Sequence, residues 1–120
     1  MELWHQAWKD LPQDNPVPLL FRRKALGERI LVARITLLKG CQVASLHHES
    51  EQVCTVLSGL LRWSFGQPGS TEFRRQDIGP GEVLVLPSQT WHGVEALEDS
   101  EVIDMLSPPG PMGVDEQARN

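Results

Sequence analysis

Gly40-Cys-Gln-Val-Ala-Ser-Leu-His-His-Glu-Ser-Glu-Gln-Val-Cys-Thr-Val-Leu-Ser-Gly59 is the stretch of sequence that decides the fold. Two glycines bracket two runs of alternating apolar residues. Between the runs lie His47, His48, Glu49, Glu51 and Gln52. Alternation with a period of two residues is typical of half-buried strands, and glycines are typical of turns. The stretch therefore predicts a strand, a polar corner, a second strand and a turn, with a corner that can hold a metal or a ligand.

A second stretch has the same organisation and supplies another histidine. It reads Gly79-Pro-Gly-Glu-Val-Leu-Val-Leu-Pro-Ser-Gln-Thr-Trp-His-Gly93. The pattern predicts a tight turn, a short strand buried on both faces and a corner that ends at His92. If the two corners meet in the fold, they form two halves of one pocket.

The composition is that of a single globular domain. The chain has 120 residues, of which 40% are hydrophobic and 22% charged, with a net charge of −5. An acidic chain is a poor partner for nucleic acid or for an anionic membrane surface, so we expect neither. Cys41 and Cys54 form no metal-binding spacing, and no apolar run reaches the roughly 20 residues of a membrane span. We expect a reduced, cytoplasmic protein.

Turn residues recur along the chain and divide it into about nine short strands, a pattern typical of an all-β sandwich or barrel. We predict an N-terminal arm over residues 1–18, in which Leu3, Trp4, Ala7, Trp8 and Leu11 have helical spacing. The barrel is predicted over residues 19–107. Residues 108–120 are predicted to form a Pro-rich, partly mobile tail in which regular structure stops.

The two stretches resemble the motifs of the cupins, and specifically of the small single-domain cupins. The first motif of that family is Gly, five residues, His-x-His, three or four residues, Glu or Gln, six residues and Gly. Here Gly40, Leu46-His47-His48, Gln52 and Gly59 have that spacing. The second motif is matched by Gly81, Pro87 and His92. The resemblance extends from about Arg22 to Pro109 and implies a double-stranded β-helix, the jelly-roll barrel of the cupins.

The resemblance also implies a site for a divalent metal. Position by position, His48, Gln52 and His92 are the implied ligands, and Leu46 stands where the family has its first histidine. A site with two imidazoles and one amide suits Zn, Ni, Fe, Co or Mn, and it leaves positions open for water or substrate. The alternative is a pocket without metal, in which the same side chains bind each other by hydrogen bonds.

Strand alternation determines which of the adjacent histidines faces inward. Residues 46 and 48 share one face and residues 45 and 47 the other, so His48 is predicted to point inward. A one-residue bulge would turn His47 inward instead. Both registers stay open at this point.

Further residues are candidates for lining the pocket. They are Leu46, Cys54, Arg34, Arg62, Trp91 and Met105. Arg34, Arg62 and Asp104 interrupt apolar strands, so each can point into the barrel or lie outward on the alternating face.

Two functions follow from the resemblance. The first is a metal-dependent enzyme of the isomerase, lyase or oxygenase type, acting on a sugar acid or a related small polar metabolite. The branch that it resembles includes cupins that linearise unsaturated uronates and also use Gln at the carboxylate position. The second is a non-catalytic cupin that binds or senses a small molecule without metal. We expect a homodimer in either case, with the Trp4/Trp8 arm lying across the partner.

Overall fold

The computed structural model describes residues 1–118 and is almost entirely β-structure. Ten strands form two antiparallel sheets. Their bounds are β1 Gln13–Asp14, β2 Leu20–Leu26, β3 Leu31–Leu37, β4 Gln42–Leu46, β5 Glu51–Ser58, β6 Leu61–Phe65, β7 Arg74–Ile78, β8 Val83–Leu86, β9 His92–Ala96 and β10 Ser100–Ser107. A short 3-10 turn at Trp8–Asp10 and the helix α1 at Gly113–Ala118 complete the fold.

The two sheets enclose one core. The six-stranded sheet has the order β1-β2-β3-β10-β5-β8, and the four-stranded sheet has the order β4-β9-β6-β7. From β4 onward consecutive strands alternate between the sheets, except for β6 and β7, which pair as a hairpin within the four-stranded sheet; this is the winding of a jelly roll. The predicted all-β jelly-roll barrel is confirmed. No helix among residues 1–118 is long and apolar enough to span a membrane.

Side-chain alternation fills the barrel from both sheets. In β3 the residues Leu31, Ala33, Ile35 and Leu37 are buried, and the residues between them are half-buried. The four-stranded sheet contributes Leu61, Trp63 and Ala96 to the same cluster. Burial of apolar area at roughly 25 cal/mol per Å² is the main stabilising contribution to such a core.

Gly59, the last glycine of the first motif, is required both by the backbone conformation of the turn and by close packing against a neighbouring strand. Its φ of +92° lies in the left-handed region, which L-residues with a side chain adopt at a cost. A Cβ at this position would also clash with the Ser100 side chain and the Asp99 backbone. The turn between β5 and β6 therefore packs directly against the start of β10, and only glycine fits there.

Both chain termini carry more regular structure than the sequence predicts. Within the predicted arm, β1 pairs with β2 in the register Gln13↔Arg23, so the arm extends the six-stranded sheet. Leu3 is 94% exposed, and the helical spacing of the arm yields only the 3-10 turn. The prediction that regular structure stops at the prolines is wrong, because α1 follows them. The predicted mobility covers residues 115–120, of which residues 115–118 belong to α1 and residues 119–120 lie outside the described residues.

A buried arginine joins the two termini. Arg22 in β2 is 3% exposed, and its guanidinium donates two hydrogen bonds to Asp14 and two to Asp115. Burial is the largest single influence and works to raise the pKa of Asp115, but the hydrogen bonds from Arg22 and Met112 and the positive charges of Arg22 and Lys24 together hold that pKa below its ordinary value. Asp115 also accepts a hydrogen bond from the backbone N–H of Met112. The tail is thereby fixed against the barrel at the start of α1.

Candidate functional site

Three side chains of the two motifs come together inside one end of the barrel. Gln52 comes from β5 in the six-stranded sheet, His92 from β9 in the four-stranded sheet, and His48 from the connection between β4 and β5. His48 Nε2 lies 3.0 Å from Gln52 Oε1, and the centroids of the His48 and His92 rings are 4.9 Å apart. Gln52 and His92 are 3% and 8% exposed. The two corners therefore come together in the fold.

Both ring nitrogens of His48 have an oxygen neighbour. Nδ1 lies 2.9 Å from the backbone oxygen of Ser50, and a carbonyl oxygen can only accept, so Nδ1 carries a hydrogen. Nε2 faces the side-chain amide of Gln52. A neutral ring that is protonated at Nδ1 has its lone pair on Nε2, facing the amide oxygen of Gln52. In this neutral state the Nε2 lone pair points into the site.

His92 is fixed in an equivalent way. Its Nδ1 donates to the backbone oxygen of Thr90 over 2.8 Å. Burial lowers the pKa of His92 below its ordinary value, and the hydrogen bond to Thr90 offsets this only in part. The ring is therefore neutral at pH 7, with a lone pair on Nε2. The backbone carbonyl of Ser50 thus holds the His48 ring, and the backbone carbonyl of Thr90 holds the His92 ring.

The donor set fits a divalent metal. Histidines that bind metals usually donate their second ring N–H to a carbonyl or carboxylate, and both His48 and His92 do so here. Gln52 adds an amide oxygen, so the site offers three neutral donors. Among residues 1–118 there is no group of three His, Cys, Asp or Glu side chains that could hold a metal ion.

Leu46 stands at the position where the resemblance to the cupin motif implies a histidine. It is the Cα partner of His92 in the β4–β9 pairing, so it stands directly beside the site. Gly113 of α1 packs against it, since a Cβ on Gly113 would lie 3.8 Å from the Leu46 Cβ. Leu46 therefore contributes an apolar contact with the C-terminal helix instead of a ligand.

The sequence leaves open whether Asp104 points into the barrel or outward, and the structure places it in the wall of the site. It lies in β10, 5% exposed, opposite Cys54 in the β10–β5 pairing. Burial raises the pKa of Asp104 to about 6, although hydrogen bonding from Cys54 and Gln52 opposes that rise. Its neighbours Val102 and Leu106 are both buried, so the alternation of β10 alone places Asp104 inward. A carboxyl group with this pKa can hold or release a proton near pH 6.

A small cavity lies between these groups and the apolar core. Its volume is about 50 Å³, and Gln52, His92 and Asp104 form its polar part. Met112 and Val114, which are 4% and 5% exposed, close it from the side of the tail. The C-terminal segment is thus part of the wall of the site.

Several residues predicted to line the pocket lie elsewhere. Arg34 is on the outer face of β3, 3.2 Å from Glu101, and Arg62 is on the outer face of β6, 2.8 Å from Asp77. Met105 points away from the barrel because its neighbour Asp104 points inward. Cys54 is fully buried beside Asp104 but does not line the cavity, and burial raises the pKa of its thiol well above the ordinary range. Strand alternation corrects the predictions for Arg34, Arg62 and Met105, whereas Cys54 lies on the inward face of β5 but outside the lining of the cavity.

His47 and Trp91 form a separate contact on the protein surface. Their ring centroids are 4.6 Å apart, and His47 Nδ1 lies 2.6 Å from Oε1 of Gln89. His47 is exposed and Trp91 half-buried. Trp91 therefore does not form a wall of the barrel cavity. Of the two registers considered for the histidine pair, the structure has the one with His48 inward.

Comparison with known proteins gives one family and many similar folds. The family model described as a cupin domain matches residues 33–107. The chain is 26% identical to KdgF from Halomonas sp., with a TM-score of 0.74 over 85% of this chain and 92% of that one. An RmlC-like cupin from Shewanella frigidimarina has 16% identity and a TM-score of 0.79, covering 90% and 93% of the two chains.

A third similarity is to a larger protein. Oxalate decarboxylase from Bacillus subtilis, in a structure described by its Mn(II) centres, has 16% identity and a TM-score of 0.77. The match covers 89% of this chain but 30% of that chain. At this identity the likeness concerns the fold alone. The search of curated proteins gave no match.

Proposed function

The chain belongs to the cupin domain family, and we propose that it binds a divalent metal through His48, Gln52 and His92 and acts on a small polar metabolite inside the barrel. The observation that carries the proposal is the pairing of the two imidazoles. Each has its Nδ1 on a backbone carbonyl, and their rings lie 4.9 Å apart beside the Gln52 amide. A cation at this point would supply Lewis-acid polarisation of a carbonyl or hydroxyl oxygen of the ligand.

Asp104 is the proton-holding group of the proposed enzyme. Its carboxyl lines the same cavity as Gln52 and has a pKa of about 6 through burial. General acid–base groups work best when their pKa lies near the operating pH. Asp104 can therefore accept or return a proton at Oδ1, which has no hydrogen-bond partner among the described residues. Gln52, hydrogen-bonded toward Asp104, orients the carboxyl group.

The reaction class follows the similarity to KdgF and the resemblance of the two motifs. A metal that polarises an oxygen, next to a group that moves a proton, suits an isomerase or a lyase acting on a sugar acid or a related metabolite, whereas an oxygenase would in addition need molecular oxygen as oxidant. The apolar residues around the cavity, including Leu61 and Val102, exclude bulk water from that proton.

Elemental analysis and calorimetry test the metal site. Protein purified without a nickel column should contain, or take up from Mn²⁺, Zn²⁺, Ni²⁺, Co²⁺ or Fe²⁺, close to one ion per chain. His48→Ala and His92→Ala should each lower the affinity by at least about tenfold, because each removes a donor. His47→Ala is the matched control, since His47 lies on the surface with Gln89. Absence of metal, with no recovery on adding these ions, would refute the proposal.

A second candidate function rests on the His48–Gln52 contact. The 3.0 Å distance is that of a direct hydrogen bond, and Leu46 removes one ligand from the site. Both features favour a cupin that binds or senses a small molecule without metal. If metal is absent and a ligand still binds in the barrel, this second function replaces the first.

We also propose that the protein acts in the cytoplasm as a homodimer. Cys41 and Cys54 are both free and buried, which suits a reducing compartment. On the outer face of the six-stranded sheet, Val83 and Val85 of the edge strand β8 are 64% and 54% exposed. An exposed apolar strand at a sheet edge favours association. A sedimentation mass equal to the chain mass of 13.4 kDa would refute the dimer.

A further inference from the structure

Two buried polar atoms inside the barrel have no hydrogen-bond partner among residues 1–118. They are Nε1 of Trp63 and Oδ1 of Asp104. Trp63 is 4% exposed and Asp104 5% exposed. Trp63 Nε1 is a hydrogen-bond donor, and Asp104 Oδ1 is an acceptor when the carboxyl is ionised. A buried polar group without a partner costs on the order of 1–3 kcal/mol, so such groups mark the binding position of something else.

Both residues line the same cavity from opposite sheets. Trp63 comes from β6 of the four-stranded sheet and Asp104 from β10 of the six-stranded sheet. The cavity volume of about 50 Å³ is several times the roughly 10–15 Å³ that one water molecule needs. The space suits a group of a few non-hydrogen atoms. Most of the remaining wall is apolar, including Ile35, Leu61 and Val102.

The charge of the wall restricts what the occupant can be. Among the described residues that line the cavity, Asp104 is the one acidic group, and there is no lysine or arginine. Arg22 is buried nearby, but its guanidinium is held by Asp14 and Asp115 and it does not line the cavity. A carboxylate inside the cavity would therefore have no lysine or arginine as a partner and would lie near the Asp104 carboxyl.

We infer that the cavity binds one or two hydroxyl groups of a small uncharged molecule, or of an uncharged part of a larger one. A hydroxyl oxygen accepts a hydrogen bond from Trp63 Nε1–H, and a hydroxyl hydrogen is donated to Asp104 Oδ1. The hydroxyl is the smallest group that can do both. A sugar acid would have to keep its carboxylate outside this cavity. The inference rests on the proposed function in placing the ligand in the same barrel, but it uses neither histidine.

Nuclear magnetic resonance of the full chain labelled with ¹⁵N tests the inference. The indole N–H signal of Trp63 is identified by its loss in Trp63→Phe, and Trp4, Trp8 and Trp91 serve as internal controls. The protein is titrated near pH 7.5 with 1-propanol and, separately, with propionate at matched ionic strength. Each titration is made in EDTA and again with Zn²⁺. The Trp63 signal should move saturably with propanol, while the control signals respond only linearly.

Two Asp104 variants separate hydrogen bonding from charge. Asp104→Leu removes the acceptor and should weaken propanol binding by at least about tenfold. Asp104→Asn keeps an acceptor oxygen without the charge, so it should retain propanol binding and reduce the preference for propanol over propionate. Signal dispersion shows directly whether each variant is folded. If Asp104→Leu does not fold, the Asp104→Asn comparison still decides the charge argument.

Three results would overturn the inference. They are no saturable movement of the Trp63 signal, equal affinity for propionate and propanol, and an unchanged preference in Asp104→Asn. Calorimetry with Zn²⁺ tests the proposed metal site separately, and absence of Zn²⁺ binding would refute that site. If Zn²⁺ does not bind while propanol still moves the Trp63 signal in EDTA, the proposed enzyme fails and the hydroxyl site stands.

Discussion

Replacing Asp104 by asparagine tests the electrostatics of the barrel interior. The pKa of this carboxyl rises from an ordinary value of 3.8 to about 6, because burial penalises the charged form. A group whose folded pKa is raised stabilises the fold fully below its unfolded pKa. That stabilisation is lost as the pH rises through the folded pKa. Ionisation of Asp104 should therefore lower the free energy of unfolding of the wild-type protein as the pH rises from about 4 to about 7.

The magnitude follows from the two pKa values. One pKa unit corresponds to about 1.4 kcal/mol, so the rise from 3.8 to about 6 corresponds to about 3 kcal/mol. Asp104→Asn cannot ionise and keeps the size and an acceptor oxygen of the side chain. The free energy of unfolding of the variant, relative to wild type, should therefore increase by up to about 3 kcal/mol between pH 4 and pH 7.5.

Urea denaturation followed by tryptophan fluorescence, in EDTA and at a series of pH values, measures this difference. Asp77→Asn is the control. Hydrogen bonds from Arg62 lower the pKa of Asp77, so its stabilising contribution is present at neutral pH and is lost as the pH falls. The two variants should therefore differ in the sign of their pH dependence. If wild type instead gained stability over Asp104→Asn as the pH rose, the carboxylate would have a cationic partner and the reasoning would be wrong.

Three further predictions concern the site and its support. Leu46→His adds an imidazole beside His92 and should raise the affinity for a divalent metal in calorimetry; unchanged affinity would contradict the assignment of that position. Arg22→Met leaves Asp115 without its cation and should cost about 3–5 kcal/mol in urea denaturation. Arg62→Met, which breaks an exposed pair, should change stability far less, and equal losses would contradict the role of Arg22. Gly59→Ala should unfold at a lower temperature than Gly69→Ala, because both have positive φ but only Gly59 has no room for a Cβ.

The local sequence determined the strands, the turns and the family. Alternating apolar residues require a two-residue period, and the motif glycines Gly40, Gly59 and Gly81 all have positive φ. Motif spacing also selected His48, Gln52 and His92, because the two corners of a jelly roll meet at one end of the barrel. Strand alternation also predicts which residue of β10 lines the pocket. Asp104 and Met105 are adjacent in one strand, so they cannot both line the pocket, and the buried neighbours Val102 and Leu106 select Asp104.

The tertiary structure alone decided how the interior is completed. The sequence shows neither that Trp63 and Asp104 face the same cavity nor that both lack a partner, because they belong to different sheets and are 41 positions apart. It also gave no sign that Met112 and Val114 close that cavity, since a Pro-rich segment with a charged end has the composition of a mobile tail. Local patterns report backbone geometry and burial. Hydrogen-bond satisfaction and packing of the tail depend on contacts between distant residues, and these exist only once both sheets are closed.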